Sequence, residues 1–136
     1  MIVVDSSAII AILFNEPRAP ALAARLAEDP DRVMSAASYV ETGTVLAGRR
    51  QGNKLRAIVE LDQFLDEAGI AIRAIDPDQA RTALRARIKH GKGMGHGGLL
   101  NFGDAFSYAL AQTLNAPLLF VGDDFGTTDV QVAVAE

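Results

Sequence analysis

Met1-Ile2-Val3-Val4-Asp5-Ser6-Ser7-Ala8-Ile9-Ile10-Ala11-Ile12-Leu13-Phe14 opens the chain, and its reading decides the fold. Met1–Val4 is apolar and rich in β-branched residues, which suits a strand buried on both faces. Asp5-Ser6-Ser7 is a helix-starting signal, because short polar side chains there accept from backbone N–H groups that have no partner within the helix. Ala8–Phe14 is apolar all round, as a buried helix is. A buried strand that runs directly into a buried helix is the first unit of a layered α/β fold.

The same alternation continues outward from this stretch. Asn15, Pro17 and Pro20 interrupt the first helix, and Ala19–Ala27 resumes as an Ala/Leu helix. Asp29-Pro30-Asp31 turns the chain into a second strand, Arg32–Ser35. Ala36–Arg50 reads as a helix stopped by Gln51-Gly52-Asn53. Lys54–Ala68 is amphipathic, with Leu55, Ile58, Val59, Leu61, Phe64 and Leu65 as its apolar stripe, and Gly69 ends it. Ile70–Ile75 is a third strand. Asp76-Pro77, an N-cap followed by proline at the first helical position, opens a helix that runs to about Ile88. Residues 91–98 hold five glycines and form a loop. Asn101–Leu114 is helical, Leu118–Val121 is a strand, Gly122–Gly126 turns sharply, and Val130–Val134 is the candidate last strand. No repeat and no long linker appears, so a single domain over residues 1–136 with a mainly parallel sheet is expected.

Composition narrows the chemistry. A chain of 136 residues fits one domain and buries roughly two thirds of its unfolded surface. The absence of cysteine excludes disulfides, zinc-thiolate sites, iron–sulfur clusters and cysteine nucleophiles. No apolar run approaches the ~20 residues of a membrane span, and the N-terminus lacks the basic region of a secretory signal, so a cytoplasmic protein is expected. The net charge is −4, which on its own argues against a nucleic-acid binder. Its distribution tells more. Residues 1–48 carry 3 basic and 6 acidic groups, residues 49–96 carry 10 and 6, and residues 97–136 carry no Lys or Arg and 5 acidic groups. One basic surface can therefore stand beside an acidic centre.

Each acid has a plain structural reading when taken alone. Asp5 suffices as an N-cap. Asp104 sits three residues after Asn101, as in a capping box. Asp123 and Asp124 suit a turn. Glu41 is harder to dismiss, because its neighbours at helical spacing are Ala37, Ser38, Thr44 and Val45, with no Lys or Arg one turn away. Together the acids say more. Asp5 ends the first strand, Asp123 and Asp124 follow the strand Leu118–Val121, and Glu41 and Asp104 lie in the first turns of helices. In a parallel sheet these positions share the carboxyl edge, where ligands collect. Carboxylates gathered without cations repel one another, and a divalent ion removes the conflict. An oxygen-only donor set suits Mg²⁺ or Mn²⁺, ions that polarise phosphoryl oxygens and activate water. Ser6, Ser7, Ser38 and Ser107 lie near the acids, but no histidine is placed to make a Ser-His-Asp triad.

Gly93-Met94-Gly95-His96-Gly97-Gly98 matches G-x-G-x-x-G but follows a basic helix instead of a strand, so it is read as a flexible loop able to close over a substrate strand. His90 and His96 read as surface residues. Arg49, Arg50, Lys54, Arg56, Arg81, Arg85, Arg87, Lys89 and Lys92 form a candidate phosphate-backbone track. Tyr39 and Tyr108, beside the acids, suit either the core or a site wall.

Four segments resemble, in order, the motifs of the PIN-domain family and its VapC-type toxins. They are Val3-Val4-Asp5-Ser6-Ser7-Ala8, Ser38-Tyr39-Val40-Glu41-Thr42, Leu100-Asn101-Phe102-Gly103-Asp104-Ala105-Phe106-Ser107-Tyr108-Ala109 and Leu119-Phe120-Val121-Gly122-Asp123-Asp124-Phe125-Gly126-Thr127-Thr128-Asp129. The resemblance implies a three-layer α/β/α sandwich with a sheet of four to five strands. It implies a Mg²⁺-dependent endoribonuclease that acts on RNA, forms homodimers and is inhibited by a VapB-type antitoxin. Asp5 and Asp104 carry over as direct metal ligands and Glu41 as the third acid. Asp124 is the first choice for the fourth acid and Asp123 the second. Two other readings stand beside this one. A phosphotransfer domain lacks its late lysine and the acid two residues after Asp5. A non-catalytic RNA- or protein-binding module would not need all the acids.

Overall fold

The computed structural model describes residues 1–133. The elements follow as β1 (Ile2–Val4), α1 (Ser6–Leu13), α2 (Ala19–Ala27), β2 (Arg32–Ser35), α3 (Ala36–Arg49), α4 (Arg56–Ala68), β3 (Ile70–Arg73), α5 (Pro77–His90), α6 (Phe102–Leu114) and β4 (Leu118–Leu119). The strands form one parallel sheet in the order β3-β2-β1-β4. Val3 pairs with Val33 on one side and Leu118 on the other, so β1 is central, as its uniformly apolar sequence requires. The chain steps from β1 to β3 in one direction and then crosses to β4 on the opposite flank of β1. The direction of winding therefore reverses between β1 and β4, and in such sheets the crevice at that reversal holds the ligand.

Alternate strand residues supply two cores. Ile2, Val4, Met34 and Leu119 pack with Ile9, Leu22, Leu46, Leu61 and Leu65 from the four helices α1 to α4. Val3, Val33 and Leu118 pack with Ala83, Ala86, Ala105 and Leu110 from α5 and α6. The result is the three-layer sandwich with four parallel strands.

Several boundaries differ from the sequence reading. β3 stops at Arg73, two residues early, because only Ile70–Arg73 finds partners on β2 and Asp76 already caps α5 through the Gln79 N–H. β4 pairs over only two residues, and Val121 instead donates its N–H to Ser7 Oγ. The candidate strand Val130–Val134 appears as a single parallel bridge of Val132 to Leu118, and Val134 lies outside the described residues. The stripe of α4 is split: Leu61 and Leu65 are buried, whereas Leu55, Ile58 and Val59 remain exposed. The glycine-rich loop is tied at its base, where Gly91 bridges Leu100 and Arg87 Nη1 donates to the Leu100 carbonyl at 2.6 Å. Gly93, Gly95 and Gly97 take positive φ between these ties, where any other residue would be strained. Among the described residues no helix is long and apolar enough to cross a membrane.

Candidate active site

The carboxyl edge of β1 is built from a chain of hydroxyls. Asp5 leaves the strand in extended conformation and caps α1, accepting from the Ser7 N–H at 3.0 Å and Ser7 Oγ at 2.6 Å through Oδ2. Its Oδ1 accepts from Ser107 Oγ at 2.6 Å, a bond from α6 that spans 102 residues of sequence. Ser107 Oγ in turn lies 2.9 Å from Ser38 Oγ on α3. Asp5, Ser38 and Ser107 are essentially inaccessible to solvent, so the carboxylate of Asp5 is held rigidly by groups from two other helices.

Glu41 lies in the second turn of α3, one turn later than the sequence reading put it. Its Oε1 accepts from Ser6 Oγ at 2.6 Å. Its other oxygen reaches over Gly103, the second residue of α6, where a Cβ would come within 2.7 Å of the Glu41 Cδ. A cavity of about 400 Å³ opens here between Val40, Glu41, Asn101, Phe102 and Gly103. Burial pushes the Glu41 carboxyl up, the Ser6 bond opposes this, and the charges of Asp5 and Asp124 add to the rise.

Asp104 is the third residue of α6. It forms the capping box with Asn101: the Asp104 N–H donates to Asn101 Oδ1 at 2.8 Å, and Asp104 Oδ2 accepts from the Asn101 N–H at 3.0 Å. This is the bland role its spacing suggested, and it leaves the second carboxylate oxygen unused by the cap. Burial pushes the Asp104 carboxyl up to about 8, against the pull of the Asn101 N–H and with further pushes from Asp5 and Asp124. Asp124 acts on both Glu41 and Asp104. The adjacent Asp123 is exposed, and its carbonyl accepts from the Gly126 N–H at 2.9 Å to close the turn. Of the five candidate residues, the structure thus brings Asp5, Glu41, Asp104 and Asp124 together and turns Asp123 outward.

Other residues near the acids have structural tasks. Tyr39 donates to Asp62 and Tyr108 to Asp129, each at 2.6 Å, so both hydroxyls point away from the acids. His96 is exposed in the glycine loop. Ser107, placed near the acids by the sequence, does bond one of them, although which acid had no local signal because Asp5 is 102 residues away. The close approach at Gly103 was missed, and it did carry a signal: a glycine inside a helix costs about 1 kcal/mol relative to alanine and often marks a close approach.

None of the four inward acids is paired with Lys or Arg among the described residues. As they stand, no three acidic or histidine side chains among the described residues form a set close enough to grip one ion. The donor chemistry nevertheless fits a hard divalent cation: all the donors are oxygens, their charges conflict, and Asp104 pays for its burial with a strongly raised pKa.

The PIN domain family model matches residues 2–131. Ribonuclease VapC42 of Mycobacterium tuberculosis is 45% identical over 131 residues, covering 96% of this chain and 98% of that protein. The crystal structure of Mycobacterium tuberculosis VapC20, described as a sarcin-ricin loop cleaving toxin, superposes with a TM-score of 0.75 at 23% identity and full coverage of both chains. A toxin–antitoxin complex from Klebsiella pneumoniae superposes with a TM-score of 0.69 at 19% identity, over 100% of this chain and 97% of that one. With a match that spans nearly its whole length, the chain belongs to the PIN-domain family, and within it to the VapC ribonucleases.

Proposed function

We propose that this protein is a single-domain endoribonuclease toxin of a type II toxin–antitoxin pair, acting in the cytoplasm on RNA with Mg²⁺, or Mn²⁺ in its place. The observation that carries the reading is the gathering of Asp5, Glu41, Asp104 and Asp124 at the sheet's reversal point with no cationic side chain among the described residues to balance them. The identity with ribonuclease VapC42 supports the same activity.

Asp5 and Asp104 would hold the ion directly, with Glu41 and Asp124 completing its surroundings. When bound, Mg²⁺ supplies positive charge for the phosphoryl oxygens and lowers the pKa of water. The chain's own residues do the rest. Ser7 and Ser107 fix the Asp5 carboxylate, so it cannot rotate away from the substrate edge. Asn101 fixes one oxygen of Asp104 and leaves the other to face the site. Glu41, raised by burial and anchored by Ser6, is suited to hold the attacking water and take its proton. Water attacks phosphorus in line with the departing 3′-oxygen, which leaves a 5′-phosphate and a 3′-hydroxyl.

Two exposed apolar faces support the protein partners. Val40, Leu55 and Ile58 line a groove of about 630 Å³ between α3 and α4, next to Glu41, and a VapB-type antitoxin covering it would shut the site. Leu84 and Ile88 on α5, with Leu99 and Phe102 before and at the start of α6, suit the contact with a second copy in a homodimer. The test is cleavage of structured RNA by the purified protein in Mg²⁺, in EDTA, and by Asp5→Asn and Asp104→Asn. Cleavage is expected only for the wild type with metal, and equal cleavage in all samples would overturn the reading.

A further inference from the structure

A cavity of about 420 Å³ lies between α5, α6 and the turn that carries Asp124. Arg85, Lys89 and His90 line it from α5, Tyr108 from α6, and Thr127 and Asp129 from the turn. Arg85 Nη2 donates to Thr82 Oγ1 at 3.2 Å, and neither Arg85 nor Lys89 takes part in an ion pair among the described residues. The acid that lines it, Asp129, accepts from the Tyr108 hydroxyl at 2.6 Å and from Gln112 Nε2 at 2.7 Å through Oδ1; the Tyr108 bond above all, and the charges of His90 and Lys89 after it, hold its carboxyl below the usual range, so the cavity keeps one negative charge beside its two cations. His90 Nδ1 lies 3.2 Å from Thr127 Oγ1, which ties the end of α5 to the turn. A concave site with two unpaired cations and a hydroxyl at its rim matches the donor set that a phosphate group takes.

The cavity is also placed beside the acids. Tyr108 stands four residues after Asp104 on α6, hence next to it on the helix surface, and Thr127 follows Asp124 by three residues. One helix and one turn therefore wall both sites. A nucleic-acid strand that presents one phosphate to the acids has its neighbouring phosphates within a few nucleotides of this cavity.

We infer that Arg85 and Lys89, in the cavity between α5, α6 and the turn at residues 122–129, bind a second phosphate of the RNA strand, separate from the one that is hydrolysed. This rests on the ribonuclease reading for its substrate and adds a subsite that positions the strand without touching the reacting atoms.

The experiment measures binding of a labelled single-stranded RNA to the full chain in EDTA across a salt series. It compares wild type, Arg85→Ala/Lys89→Ala and Arg81→Ala, whose arginine belongs to the same basic track in the sequence but does not line the cavity and is bridged to Asp78. The double variant is expected to bind about tenfold more weakly or worse, with a salt slope shallower by about 1.4, the value for two lost contacts to a single strand. Arg81→Ala should change both far less. In Mg²⁺ the double variant should raise KM for RNA with kcat preserved, and should cleave bis(4-nitrophenyl) phosphate, which has no second phosphate, as wild type does. Unchanged affinity and slope would overturn the subsite, as would an equal effect of Arg81→Ala, which would mean diffuse attraction. Saturable binding of inorganic phosphate, lost in the double variant while RNA binding is unchanged, would also overturn it by assigning the cavity to a free anion. If wild type cleaves neither substrate, the nuclease reading fails, and the binding comparison still decides the subsite.

Discussion

Asp104 is buried, shares its surroundings with two other acids, and is held by a backbone N–H at only one oxygen. With a folded-state pKa of about 8 against about 3.9 in an unfolded chain, the native protein keeps a proton that the unfolded chain loses over that interval. Its contribution to stability is full below pH 4 and is lost as pH rises towards 8. Asp104→Asn keeps the oxygen that caps the Asn101 N–H and removes the titration. The substitution is therefore expected to raise the melting temperature of the metal-free protein by several degrees at pH 8 and to leave it nearly unchanged at pH 4, while lowering RNA cleavage at least about 100-fold. A melting temperature that falls equally at both pH values would show that the conflict at Asp104 is not what limits stability. At this scale the sequence was legible where residue type and position in an element suffice, as for Asp5 at the end of β1 and Asp104 in the first turn of α6, whereas Glu41 was placed a turn too early. It was not legible where a turn decides between identical neighbours. Asp123 and Asp124 differ only in which way the Gly122–Gly126 turn points them, and that turn is set by the Gly126–Asp123 hydrogen bond.

The start of α6 sets helix stability against the arrangement of the acids. Gly103 is a weak helix former in a helix otherwise favoured by Asn101 and Asp104 at its cap. Gly103→Ala should improve the helix by up to about 1 kcal/mol, yet the new Cβ meets Glu41. The expected outcome is a melting temperature equal to or above wild type with cleavage reduced by up to about 100-fold, read by thermal denaturation and RNA turnover on the same preparation. Full activity in this variant would remove Glu41 from the reaction. Elements themselves were read well where apolar period and end signals agree: α2 and β2 carry the limits their sequence predicted, and Gly69 ends α4 in the left-handed conformation, with φ of 67°. They were misread where pairing decides, because nothing in Ile75 or Phe120 records the lack of a neighbouring strand. The α4 stripe shows the converse. Its periodicity predicted burial, and Leu55 is 73% exposed because no described residue lies across it.

For the whole molecule, the net charge of −4 conceals an acidic centre and a basic helix, α5, that can face a polyanion. The fold also leaves an apolar groove between α3 and α4 that starts at Val40, the residue before Glu41. Ile58→Lys places a charge on that groove without touching the acids. It is expected to cleave RNA as wild type does and to resist inhibition by the proposed VapB-type antitoxin at least about tenfold more strongly, measured by titrating such an antitoxin into the cleavage reaction. Loss of cleavage together with loss of inhibition would mean that α4 supports the catalytic edge and is not a separate docking face.

The central strand has a consequence for synthesis on the ribosome. Asp5 emerges long before the groups that orient it: Ser107 lies 102 residues further on, and the Val121 N–H that engages Ser7 lies 114 residues beyond Ser7. The β1–β4 pairing that closes the crevice also waits for Leu118. Contacts so distant in sequence cannot form until most of the chain is outside the exit tunnel. On the proposed assignment of the acids, a nascent chain would therefore be harmless to the RNA that surrounds it while it is being made, and would gain its cutting edge only once residue 124 is free to fold back onto residue 5.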